Sequence, residues 1–190
     1  MSTNGKPIRV GIVGLGRSGW NIHAKTILGL REGFELAAVT DPDAERRNEA
    51  VAACGGCRAY EDFETMIGDK TLEPIVVASP NRFHTGHSIA ALKAGKHVVC
   101  EKPFALTTED ADRTIEAAED AERVVAPFQN RRYEPHLLKV KEIINSGILG
   151  QIVQIRRKDV DVLQEAVIEP SADLKRLERL YVLLAPADGR

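Results

Sequence analysis

The stretch IRVGIVGLGRSG, residues 8–19, runs a β-rich apolar segment straight into three glycines spaced as GxGxxG. Residues 8–13 are dominated by β-branched side chains and read as a strand, and residues 18–30 read as a helix. A glycine triplet of this kind is weak by itself and informative between a strand and a helix. In that setting Gly14 permits the tight turn, Gly16 lets the backbone approach a pyrophosphate, and Gly19 lets the helix pack closely. The helix N-terminus then supplies N–H groups for phosphate oxygens.

The same alternation continues along the chain. FELAAV (34–39) reads as a second strand, with Asp41-Pro42 placed as N-cap and first-turn proline of a helix over 43–53. A short strand is expected at 58–60, a helix at 61–67, and a fully apolar strand at 74–79. Residues 84–94 read as a helix closed by Gly95, KHVVC (96–100) as a strand, and a helix runs from Thr107 or Thr108 to about residue 122. RVVAPF (123–128) ends the series. Near-continuous apolar strands separated by helices predict a doubly wound parallel α/β sheet, Rossmann-like, over residues 1–126. Residues 127–190 read as a short second segment.

Composition narrows the possible partners. The chain has 190 residues, 43% of them hydrophobic and 28% charged, the balance of an ordinary globular protein. Its 26 basic and 28 acidic side chains give a net charge of −2, which offers no footprint for nucleic acid or an anionic membrane. No apolar run approaches the ~18 residues of a membrane span, and MSTNGKPIRV has no apolar h-region before the first strand, so a cytoplasmic protein is expected. Cysteines at 54, 57 and 100 cannot all pair, which excludes a disulfide framework, and no metal site is expected. Cys54-Gly-Gly-Cys57 has redox spacing, but its glycines read better as a helix stop and turn.

Asp41 follows the glycine run by about 20 residues, the offset of the acid that holds an adenosine ribose. A carboxylate there accepts bonds from the ribose hydroxyls and repels a 2′-phosphate, favouring NAD over NADP. The competing reading makes Asp41 only a helix cap and leaves Arg46 and Arg47 to receive a phosphate, so NADP stays possible. The glycine loop, Asp41, Ser79-Pro80-Asn81, Glu101-Lys102-Pro103 and Gln129-Asn130-Arg131 all follow strand ends. Ligands of doubly wound sheets bind beyond those carboxyl ends.

Residues 79–106, SPNRFHTGHSIAALKAGKHVVCEKPFAL, resemble the signature of the Gfo/Idh/MocA family of NAD(P)-dependent oxidoreductases, in the Pro-Asn pair, His84, the Ala-Leu-x-Ala-Gly-Lys-His turn and Glu-Lys-Pro. Asn130-Arg131-Arg132-Tyr133 and LGQIVQIRR are similar to the family's entry into its second domain, and the resemblance covers residues 8–157. It implies hydride transfer between a nicotinamide cofactor and a sugar or polyol. Gly14, Leu15, Gly16, Arg17 and Ser18 would hold the pyrophosphate, and Ser79, Asn81 and His84 the middle of the cofactor. Glu101 would touch the nicotinamide end and Lys102 the substrate oxygen, where a cation stabilises negative charge as hydride leaves. The plainer readings are that His84 caps its helix and Lys102 is a solvated loop lysine. His23, His87, His97 and His136 have no partner pattern and read as ordinary surface or core histidines.

The sequence also departs from the family: against it, residues 127–190 are an incomplete second segment, the truncated start of the C-terminal domain, divergent after about residue 157. The family's second domain normally supplies an Asp-x-x-x-His element with the histidine as general base, and no such element follows Lys158. Losing a general base typically costs ~10²- to 10⁴-fold, so weak or absent turnover is expected. Leu174, Leu177, Tyr181 and Leu184 fall at helical spacing after Ser171. A strand at 151–157 without evident partners presents an edge, which predicts association between copies. Three readings stand: an oxidoreductase, a dinucleotide-binding module without its own catalysis, and an interaction protein built on the tail helix.

Overall fold

The computed structural model describes residues 6–152. The expectations for the strand at 151–157 and the helix after Ser171 therefore fall wholly or almost wholly outside the described residues. The chain divides into two compact units, Met1–Gln129 and Asn130–Arg190.

The first unit is a six-stranded parallel sheet with helices between its strands. Its strands are β1 (Ile8–Val13), β2 (Phe34–Thr40), β3 (Arg58–Tyr60), β4 (Pro74–Val77), β5 (His97–Cys100) and β6 (Val125–Pro127). They lie in the order β3-β2-β1-β4-β5-β6, and all are parallel. Strand order reverses between β1 and β4, and at such a switch point a crevice opens beyond the strand ends.

Two apolar clusters fit the two faces of this sheet. Ile75 and Val77 join the cluster that holds Phe63, Met66, Leu92 and Ala117. Val76, between them, joins Ile12, Leu36, Val39 and Ala50. Alternation at period two sends successive side chains to opposite faces, so a strand buried on both reads as a continuous apolar run.

The helices are α1 (Lys25–Gly29), α2 (Ala44–Cys54), α3 (Phe63–Ile67), α4 (His84–Lys93) and α5 (Thr108–Asp120). No described helix is long and apolar enough to cross a membrane. Three details depart from the sequence reading. The expected helix at 18–30 opens as a π-helical turn, Gly19–Ala24, before becoming α1. The cap of α2 is Asp43, whose side chain accepts from the backbone of Glu45 and Arg46, and not Asp41. Cys54 and Cys57 form a disulfide, leaving Cys100 free and buried. The turn reading of the intervening glycines holds beside that bond, since Gly55 and Gly56 adopt φ of 80° and 117°, which favour glycine.

In the second unit a 3₁₀ turn, Asn130–Tyr133, precedes α6 (Pro135–Asn145). Pro135 begins this helix, where its missing N–H costs nothing.

Candidate functional site

The three glycines after β1 are under three different constraints. Gly14 has φ +89°, and a Cβ on it would stand 2.6 Å from the carbonyl oxygen of Ala78. A Cβ on Gly19 would stand 1.8 Å from the carbonyl oxygen of Gly14. Gly16 differs: a Cβ there would meet nothing within 4 Å. Gly14 and Gly19 are thus required by the protein's own packing, and the open side of Gly16 fits an extended diphosphate lying against the backbone. The first N–H groups of a helix lack intrahelical acceptors, so the amides of residues 16–18 are suited to phosphate oxygens. Arg17 is exposed beside them.

Asp41 stands at the end of β2, buried against this loop. One carboxylate oxygen accepts the Leu15 N–H at 2.7 Å, and the other accepts the Asp43 N–H at 3.0 Å. The acid therefore fastens the glycine loop, and each oxygen keeps a lone pair for a ribose hydroxyl. Arg47 donates to the carbonyl of Asp41 at 2.6 Å, and Arg46 lies 3.8 Å from the Asp41 carboxylate and 3.5 Å from that of Asp43. Both guanidinium groups are thus turned onto the Asp41–Asp43 bend.

On the far side of the switch point, two histidines hold the loops. His84 is fully buried, with Nε2 2.8 Å from the Ser79 carbonyl and Nδ1 2.7 Å from the Pro103 carbonyl. Its ring ties the loop after β4 to the loop after β5, and both nitrogens face backbone. It does not cap α4, which has no side-chain cap bond. His87 Nδ1 lies 3.0 Å from the Ser79 hydroxyl, and its ring packs against Phe63 and Phe83. Burial lowers the basicity of His87. Asn81 is exposed at the start of the intervening 3₁₀ turn.

Glu101 closes β5 with a buried carboxylate. Oε1 lies 3.0 Å from His23 Nε2, and Oε2 accepts the Lys102 N–H at 3.1 Å. Lys102 itself is exposed, and its bond to Pro103 is cis. His23 comes from the π-helical turn and packs its ring 4.3 Å from that of Phe128, which follows β6. Burial lowers the His23 pKa more than neighbouring Glu101 raises it. Sequence reading missed His23 and His87 because their partners lie in loops and helical turns outside their own helical segments, Glu101 78 residues from His23. The spacing of His87 from His84, one turn apart on α4, was the available signal for the latter.

Loops after β1, β2, β4 and β5 are thus cross-linked on one sheet edge, with an open glycine at one end and an exposed lysine at the other. Residues 8–129 match the model of an oxidoreductase family with an NAD-binding Rossmann fold. The chain belongs to the Gfo/Idh/MocA family. It is 34% identical over 154 residues to a myo-inositol 2-dehydrogenase of Thermotoga maritima, covering 80% of this chain and 46% of that protein. Among solved structures, a myo-inositol 2-dehydrogenase from Lactobacillus plantarum superposes with a TM-score of 0.73 at 28% identity, covering 80% and 46% of the two chains. The WlbA dehydrogenase from Bordetella pertussis, crystallised with NADH and UDP-GlcNAcA, gives a TM-score of 0.72 at 30% identity, covering 80% and 42%. The chain spans less than half the length of these Gfo/Idh/MocA relatives.

Proposed function

We propose that this chain is the cofactor-binding part of a sugar or polyol dehydrogenase that uses NAD. The observation that carries the reading is the contrast among the glycines: crowding at Gly14 and Gly19, open space at Gly16, on the edge that also bears Asp41 and Lys102. The residues fit a dinucleotide. Amides of Gly16, Arg17 and Ser18 take the pyrophosphate, with Leu15 N–H already committed to Asp41. The outer lone pairs of Asp41 take the adenosine ribose hydroxyls. Ser79 and Asn81 line the middle, while His84 serves from behind as the strut that sets their loop.

When bound, NAD supplies the hydride acceptor. Glu101 faces the nicotinamide end, and the Lys102 ammonium stabilises negative charge developing on the substrate oxygen. NADPH is disfavoured by the Asp41 carboxylate, although Arg46 stands near enough to offset part of that repulsion. Association between copies remains part of the proposal, and light scattering of the purified chain checks it.

The test is a titration with NADH and NADPH, read by energy transfer from Trp20, the chain's single tryptophan. Saturable NADH binding, stronger than NADPH binding and lost in Gly16→Val, is the expected result. Absence of binding at millimolar NADH overturns the reading. Lys102→Ala should leave NADH binding intact, as expected of a residue placed at the substrate oxygen and not on the cofactor.

A further inference from the structure

The inference rests on the proposed role of Lys102 and concerns a histidine that stands behind it. His23 lies on the π-helical turn that continues the glycine loop, and Glu101 lies on the far side of the switch point, after β5. Their side chains, each 6% exposed, meet at 3.0 Å. A buried carboxylate needs donors for its oxygens, because an unpaired one is costly away from water. Glu101 has one on each: the His23 ring on Oε1 and the Lys102 backbone on Oε2.

The ring's orientation is also constrained. Phe128 packs at 53° against its plane, and the turn that carries it is π-helical. Hydrogen bonding from i to i+5 adds a residue to the turn, and such turns are frequently found at functional sites. Here the wider turn carries His23 into the interior, where it and Ala24 are buried. A neutral imidazole protonated on Nε2 donates to the carboxylate and leaves Nδ1 as an acceptor.

We infer that His23 is a positioning residue: through Glu101 it fixes the backbone of Lys102, so that the helix behind the pyrophosphate loop and the catalytic lysine are set by one buried hydrogen-bonded chain. The consequence is mechanical coupling between the two halves of the crevice. Whatever presses on the glycine loop is felt at the lysine.

Hydrogen exchange of the Lys102 amide tests this in the chain without cofactor. In His23→Leu the Lys102 amide should exchange about tenfold faster, the factor one net hydrogen bond is worth. His23→Gln, whose Nε2 can donate from nearly the same place, should restore protection to within about twofold. Amides in the core of β4, such as Val76, should stay protected in both variants. Unchanged Lys102 exchange in His23→Leu overturns the inference. So does a failure of His23→Gln to restore it, which would make His23 a packing residue, and so does an equal loss of protection at Val76. Failure of the unsubstituted chain to bind NADH would instead overturn the proposed function and leave the exchange result standing.

Discussion

The two edges of the sheet both bury polar side chains, and they use them differently. Ahead of the amino end of β4, Asp69 accepts from Arg58 and, at 2.9 Å, from Tyr60, both of β3, and from the amide and hydroxyl of Thr71. Lys96, also buried, donates to the carbonyls of Asp69 and Leu72 at 2.6 and 2.9 Å. These groups answer one another and close the network. At the carboxyl ends Asp41, Ser79, His84 and Glu101 are held by neighbouring loops, yet the edge ends in an open glycine and an exposed lysine. A closed network contributes stability, and an open one positions groups for something outside the protein.

The largest effect that could break this contrast lies within the glycine loop. Gly19→Ala should cost more than about 4 kcal/mol and prevent folding, because the added carbon collides with backbone. Gly16→Ala should fold with an unchanged melting temperature while NADH binding weakens. Equal behaviour of the two variants in thermal melts would remove the distinction between packing and ligand glycines.

Next comes the closed edge. Asp69→Ala should lower stability by about 1–3 kcal/mol in urea denaturation and leave NADH affinity unchanged. A change in affinity would mean that the two edges are coupled.

Acid should separate the edges by pH. His23 and His87 have pKa values lowered in the folded chain by burial, so below about 6.5 the unfolded chain binds more protons and stability falls with pH. Asp69 is held at about 2, so its contribution is present above the ordinary carboxylate range and is lost as pH falls through about 2. The melting temperature should thus begin to decline below pH 6.5, and His87→Asn should flatten that first decline. A flat profile down to pH 4 would contradict the placement of both histidines.

The smallest effect concerns cofactor choice. Arg46 is half exposed, and such ion pairs contribute little, about 0.2–1 kcal/mol. Arg46→Ala should weaken NADPH binding by a few-fold and leave NADH binding unchanged. An equal loss for both cofactors would assign Arg46 to something other than a 2′-phosphate.

Most of the sheet was legible because its signals are local. PIVV and HVVC are short apolar runs between breakers, and the glycine triplet sits where strand turns to helix. The π-helical turn was not legible, since nothing in GWNIHA distinguishes it from an α-helical start. Asp41 was found by its spacing, but its place as cap belonged to Asp43, two residues later, and Asp41 turned back to the glycine loop instead. The Cys54–Cys57 bond was not legible because the cysteine count bears only on a framework and the glycines between the pair read as a turn, which a single bridge can also span. His23 and Glu101 are 78 residues apart, and only the crossover of the sheet brings them together.

The bond from Leu15 to Asp41 has a practical consequence for anyone redesigning the cofactor preference. Removing the acid to admit a phosphate also unlatches the loop that would bind the rest of the molecule. A useful redesign would keep an acceptor at position 41, with asparagine as the first choice, and introduce its new charge on α2 around Arg46.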